Sequence, residues 1–179
     1  MSTFAPPRAG IVCLDLQQNR QAAEGGAPAL AATLAMCRQV LAEARRRRWP
    51  VLHVHARQAE PLDGRPIAGL QPRPSEPVFV RHGPSAFSSP SFARAAAALG
   101  GPLALIGFSL HDTVLATAFA AADRNLDVDV LRNAVWGGTE AVDQILLEPL
   151  RAMAPQARII QVDDLFRDEQ GAFAAANLP

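Results

Sequence analysis

The sequence contains no lysine: all seventeen basic residues are arginine. That excludes any mechanism built on a lysine amine, because a guanidinium stays protonated and relays no proton. Cysteine is nearly as scarce. Cys13 and Cys37 are the only two, too few for a disulfide framework and without zinc-site spacing, so both read as small buried hydrophobes. Net charge is zero at 17 basic and 17 acidic residues, which removes the electrostatic case for a nucleic-acid or anionic-membrane partner. No apolar run approaches the ~20 residues that a spanning helix requires. The stretch MSTFAPPRAG lacks the charged-then-apolar layout of a secretion signal, and a cytoplasmic protein is expected.

What is present is an alternation of strand and helix signals over 179 residues, 49% of them hydrophobic, enough for one domain with a sizeable core. Gly10 to Leu14 reads as a strand buried on both faces, ending at Asp15 and followed by Gln17. Pro28 opens a helix whose apolar positions Leu30, Leu34, Cys37, Leu41 and Ala44 step by four, three, four and three. Arg45 to Arg48 close it as a solvated helix end. Val51 to His55 is a second strand with His53 and His55 on one side; two histidines without a third ligand read as core or crevice wall, and no metal is expected. Residues 57–77 carry five prolines and no periodicity, a long loop that either covers the crevice or is an idle excursion. Val78 to Val80 forms a short strand ending at Arg81, and Ser91 is expected to cap a helix through Leu99. Further strands are expected at Leu103 to Ile106, at Asp127 to Leu131 with Asn133 following, and at Arg158 to Val162. Thr139 is expected to cap a helix that Pro149 kinks or ends, and the tail from Asp163 reads as irregular or a short helix.

This pattern predicts an α/β fold: a single domain with a doubly wound, Rossmann-like, six-stranded parallel sheet and helices on both faces. The stretch from Gly107 to Ala118, GFSLHDTVLATA, is its centre. A buried strand, a glycine turn and a helix start place Ser109, His111, Asp112 and Thr113 at a carboxyl strand edge, where ligands bind and unpaired N–H groups face a developing negative charge. Asp15, His55, Arg81 and Asn133 also follow strands and are expected on that edge.

In order and spacing, these residues resemble the isochorismatase-like superfamily, which includes cysteine hydrolases acting on nicotinamide, N-carbamoyl compounds and other small amides. The markers are Asp15 and Gln17 after the first strand, Ser85-Ala86-Phe87 four residues after a basic position, and the glycine-opened turn and helix reaching Thr117-Ala118. The resemblance covers roughly Gly10 to Val162. It implies an active site of aspartate, lysine and nucleophilic cysteine, and this chain departs from it. Arg81 stands at the lysine position, Thr113 at the cysteine position and Asn133 where an aspartate is common. The nicotinamidase-type metal motif is absent.

A threonine hydroxyl is a far weaker nucleophile than a thiol and needs an adjacent base. Isochorismatases proper offer a better precedent. They cleave an enol ether without a cysteine nucleophile and carry a histidine at the position of His111. The resemblance then implies Asp15 as the acid/base residue, Arg81 as bidentate holder of a substrate carboxylate, and Thr113 lining the pocket. A guanidinium beside a carboxylate favours its charged form, so a proton-donating aspartate requires Arg81 to be neutralised by the substrate.

The candidate catalytic residues are therefore Asp15, Arg81 and Thr113. The candidate substrate-binding residues are Gln17, His55, Ser85, Phe87, Ser109, His111 and Asn133. Plain structural readings stand beside these: Asp15 and Arg81 as an ion pair, Thr113 as a buried first-turn residue, His111 as a cap. The leading expectation is a hydrolase acting on a small, anionic metabolite without cysteine chemistry. The alternatives are a catalytically silent relative that binds a small molecule or protein partner, and a Thr113-dependent amidase. No cofactor is expected; a homodimer or higher homo-oligomer is, with the alanine-rich helices at 93–98 and 116–122 as its contacts.

Overall fold

The computed structural model describes residues 9–23, 28–57 and 64–167. Six parallel strands form one sheet in the order β3-β2-β1-β4-β5-β6: β1 (Gly10–Leu14), β2 (Val51–Ala56), β3 (Val78–Arg81), β4 (Leu103–Phe108), β5 (Val128–Trp136) and β6 (Ala157–Ile160). The chain winds outward through β2 and β3, then returns to pair β4 against the other side of β1. The strand order therefore reverses between β1 and β4, and a crevice at their carboxyl ends follows from that topology.

Period-two alternation explains the layers. Ile11 and Cys13 of β1 join a core with α2 (Pro28–Arg47), whereas Val12 and Leu14 face a core shared with α3 (Pro90–Ala98), α4 (Leu115–Ala122) and α5 (Glu140–Met153). The buried stripe of α2 is the expected Leu30, Leu34, Cys37, Leu41 and Ala44, joined by Val40. Both thiols are enclosed: burial raises Cys13 well above its ordinary value and holds Cys37 at about 12, so neither is a thiolate.

Several boundaries differ from the sequence expectation. Strand β5 runs on to Trp136, with an irregular register against β4 between Leu105 and Gly107, so Asn133 lies inside the strand rather than beyond it. Helix α5 continues through Pro149 to Met153. The cap of α3 is Ser89, with Pro90 opening the helix and Ser91 inside it. A short helix, α1 (Gln18–Ala23), for which the sequence shows no apolar period, follows β1. Strand β6 stops at Ile160 rather than Val162, and residues 162–167 form the short helix that is one of the two sequence readings of the tail.

The proline-rich loop is no idle excursion where it is described; residues 58–63 lie outside the described set. From Gly64 it runs across the molecule as a strap. Its start is hydrogen-bonded beside the end of β1, with Ile67 N–H on the Leu16 carbonyl at 3.0 Å and the Gln17 amide on the Gly64 carbonyl at 3.2 Å. Ile67 and Leu70 are buried against α2, and Arg38 donates twice to the Ala68 carbonyl. At its far end Glu76 accepts two bonds of 2.8 Å from Arg45, one of 2.9 Å from the Arg73 N–H and one of 2.9 Å from His53 Nε2. Burial raises the Glu76 carboxyl, but the bonds from Arg45, Arg73 and His53 outweigh it and bring it from 4.5 to about 2. Burial pushes His53 down despite Glu76, so it donates as a neutral imidazole.

Two outcomes are expected. Gly107 adopts φ +114°, and a Cβ there would sit 2.1 Å from the Leu14 carbonyl oxygen; Gly107→Ala should destabilise by about 3 kcal/mol or more in urea unfolding. Because folding depresses Glu76, its contribution is fully present above pH 4.5 and fades as pH falls toward about 2. Glu76→Gln should therefore lower the melting temperature at pH 7 and lose that difference as the pH approaches 2.

Candidate functional site

Strand β1 delivers Asp15 into the reversal point in a left-handed conformation (φ +50°), one that aspartate tolerates better than most residues. Its carboxylate has no accessible surface. Leaving such a charge unpaired would destabilise the fold by several kcal/mol, and three other segments answer it. From the end of β3, Arg81 Nε lies 3.0 and 3.1 Å from the two carboxylate oxygens, with Nη2 at 2.5 Å. Its remaining Nη1 donates to the Gly83 carbonyl at 2.7 Å, which fixes the fork. From the turn after β4, the Thr113 hydroxyl donates to Asp15 Oδ2 at 3.1 Å. From α1, Arg20 Nε stands 3.9 Å from the same oxygen.

The turn after β4 is built by its own sequence. Gly107 lets the chain pass the β1 backbone, and Leu110–Val114 forms a π-helical turn closed by the Val114 N–H on the Ser109 carbonyl at 3.1 Å. Single π-turns inserted at a helix start are frequent at functional sites. Asp112 reaches back to the Ser109 N–H at 3.3 Å and the Ser109 hydroxyl at 2.6 Å, and also accepts from the Thr113 N–H. That is the serine-to-acid spacing of a capping box. Arg20 Nη2 closes the ring at 2.7 Å from Asp112 Oδ2. Burial raises the Asp112 carboxyl, but Ser109, the Thr113 N–H and Arg20 together hold it well below the usual carboxylate range. His111 Nε2 lies 3.4 Å from the Ser109 hydroxyl.

Two guanidiniums and two carboxylates thus interlock around Thr113 and Ser109, with Asp15 at the bottom and Arg20, Asp112 and His111 toward solvent. The structure brings Asp15, Arg81, Thr113, Ser109 and His111 together. His55, half-buried, is the neighbour on β2; burial and His53 lower its pKa against the opposing pull of Asp15. The remaining candidates hold the frame. Gln17 is buried with its amide divided between the Gly64 carbonyl and the Ala56 N–H. Ser85 caps a 3₁₀ turn (Ala86–Ser88) by accepting from the Phe87 N–H at 3.1 Å, and Thr117 of α4 holds that turn through the Ala86 N–H. Phe87 is a core side chain, edge-on to Phe92 and covered by the Arg124 guanidinium. Asn133 accepts from the Val162 N–H at 3.0 Å, fastening the chain after β6 rather than bonding to the Asp15 cluster.

Arg20 is the member that sequence reasoning missed. It comes from the unexpected α1 and meets partners 89 and 92 positions away, a separation that no local pattern signals. Asp112 was legible as the fourth residue of Ser-Leu-His-Asp, a spacing that announces a cap. Among the described residues no cluster of three His, Cys, Asp or Glu side chains is placed to hold a metal ion, and no helix is long and apolar enough to cross a membrane.

A doubly wound sheet with an Asp–Arg–Thr cluster at its reversal point defines an α/β protein whose candidate site is built on a strand-end aspartate. The isochorismatase domain model matches residues 9–164, and the chain belongs to that family. Solved structures agree on the fold. A cysteine hydrolase from Pseudomonas syringae pv. phaseolicola 1448A superposes with a TM-score of 0.81 at 14% identity, covering 96% of this chain and 97% of the other. An isochorismatase family protein from Burkholderia thailandensis gives 0.77 at 19% identity, covering 93% and 97%. N-carbamoylsarcosine amidase from Thermoplasma acidophilum gives 0.72 at 20% identity, covering 87% and 97%. No curated protein matches the sequence.

Because Asp112 both caps the helix start and holds Arg20, Asp112→Ala should destabilise the chain by about 1–2 kcal/mol in urea unfolding. Leu110–Val114 is then expected to lose amide-exchange protection ahead of β4.

Proposed function

We propose that this protein is a cysteine-independent hydrolase of the isochorismatase family, in which Asp15 handles the proton for a small anionic substrate. The observation that carries this reading is the Asp15 carboxylate, enclosed at the strand reversal and bonded at once to Arg81 and Thr113. A substrate carboxylate arriving beside Arg81 competes for the same bidentate fork. Drawing the guanidinium away from an enclosed carboxylate favours its protonated form, and Asp15 then turns from acceptor to proton donor. Thr113 holds one carboxylate oxygen in place, Arg20 and Asp112 keep the mouth of the site charged, and water completes the cleavage. Neither thiol takes part, since both lie in the core as neutral groups.

A second reading rests on a specific feature of the same site. Asp15 and Thr113 have no accessible surface, and the cluster's four charges are mutually paired. That is also how a silent family member would stabilise a ligand-binding fold.

Turnover of a panel of small carboxylates bearing enol-ether, amide or N-carbamoyl bonds separates the two. Under the hydrolase reading, Asp15→Asn lowers kcat about 10²–10⁴-fold, while Thr113→Ala stays within about tenfold of the parent, as expected of a residue that only positions. Equal loss in both variants would instead point to a Thr113 nucleophile. Absence of turnover across the panel, with thermal stabilisation by the same compounds kept in Asp15→Asn, would replace the enzyme with a binding protein.

A further inference from the structure

Of the two guanidiniums beside Asp15, Arg20 is the farther from it and the more open to water. Arg81 is committed: its fork holds both Asp15 oxygens, its Nη1 donates to the Gly83 carbonyl, and its side chain is 13% exposed. Arg20 stands over the same carboxylate, with Nε 3.9 Å from Oδ2, but turns Nη2 to Asp112 at 2.7 Å. Its side chain is 27% exposed and that of Asp112 36%. Beneath this pair Asp15, Ser109 and Thr113 have no accessible surface. An anion arriving from solvent therefore meets Arg20 and Asp112 before it meets Asp15.

The two oxygens of Asp112 have separate partners. Oδ1 accepts from the Ser109 N–H, the Ser109 hydroxyl and the Thr113 N–H, and so closes the helix start. Oδ2 accepts from Arg20. One oxygen shapes the turn; the other occupies a guanidinium. Arg20 and Arg81 approach the same Asp15 oxygen, to 3.9 and 2.5 Å, so one carboxylate can reach both. The proton on Asp15 depends on this. An anion that engages Arg81 alone leaves Arg20 beside Asp15, where a cation still favours the charged carboxylate. Releasing Asp15 as a proton donor requires both guanidiniums to turn to the incoming anion.

We propose that Arg20 is a specificity-determining residue that receives the substrate's carboxylate together with Arg81, and that Asp112 Oδ2 fills that position in the free protein. This rests on the reading of Asp15 as the proton-handling residue. The exchange is carboxylate for carboxylate, so Arg20 keeps a charged partner throughout and no partly buried charge is left unanswered. Asp112 keeps its Oδ1 bonds, so the helix start stays closed while the other oxygen turns to water. The substrate class selected is a small carboxylate that enters with its charged end leading. A neutral ester of the same shape has nothing with which to replace Asp112.

Calorimetric titration of the full chain with acetate, benzoate and 2-methoxyacrylate tests this, with methyl 2-methoxyacrylate as the uncharged control. At least one carboxylate should bind saturably, and the ester should not. Arg20→Gln should weaken that binding about tenfold or more. Asp112→Asn should tighten it about threefold or more, because the amide oxygen keeps the cap while the amide nitrogen cannot accept from Arg20. Arg20→Gln combined with Asp112→Asn should bind as Arg20→Gln does. A purely structural Asp112 predicts the opposite, a loss of affinity or no change, and either result overturns the proposal. If Asp112→Asn fails to fold by circular dichroism, Arg20→Lys decides: it keeps the charge and should weaken binding less than Arg20→Gln, and an equal loss overturns the proposal. Absence of saturable carboxylate binding overturns it as well. Binding that needs Arg81 but not Arg20 overturns it and leaves the hydrolase reading in place. Binding that depends on Arg20, with turnover indifferent to Asp15→Asn, supports it and removes the hydrolase reading alone.

Discussion

A carboxylate sealed from water must be answered by charge, and the arrangement of this protein's carboxyl-end rim follows from how Asp15 is answered. Its partners come from three places: the end of β3, the turn after β4 and the short helix after β1. Satisfying it holds the edge strand β3 at its terminus, fixes the helix start after β4 and draws α1 over the top. Desolvation of such a charge outweighs a single ordinary hydrogen bond. The bidentate fork of Arg81, itself anchored to the Gly83 carbonyl, supplies what one bond does not. The functional proposal uses the same constraint, since a competing anion is what would release Asp15.

The rest of the frame serves that pairing. Gly107 allows β4 to pass within van der Waals reach of the Leu14 carbonyl, which is how the Thr113 turn comes close enough to Asp15. The strap from Gly64 to Glu76 is held by the Leu16 carbonyl after β1 at one end and by Arg38 and Arg45 of α2 along its length and at the other end. Lacking lysine, the chain gives arginine every cationic role, and the forks of Arg38, Arg45 and Arg81 engage carboxylate or carbonyl oxygens in fixed geometry. That geometry suits positioning and anion recognition better than proton relay.

Much of this could be read before the fold was known, and the reasons are local. Continuous apolar runs identify β1 and β4, a three-four step identifies α2, and the glycine turn identifies the start of the site. Where reading failed, a nonlocal term decided. Strand β5 outruns its apolar signal because its far half pairs with the end of β4 after an irregular register. Pro149 stays within α5, whose buried face carries Leu147 and Leu150 into the core. Position alone does not show that Gln17 bonds two backbone groups or that Phe87 packs edge-on to Phe92.

The amino-acid sequence by itself determined the strand and helix periods, the parallel class, the missing thiol and amine at the site, the strand ends that carry Asp15 and Arg81, and the turn after β4 that carries Thr113. These depend on residue type and short-range spacing, which any chain displays without folding. Only the tertiary structure decided that Arg20 and Asp112 complete the cluster, that Asn133 turns to Val162 instead, and that the proline-rich loop is a strap. Those outcomes depend on contacts between segments 29 to 92 residues apart, where burial and charge pairing choose among partners that no local pattern ranks.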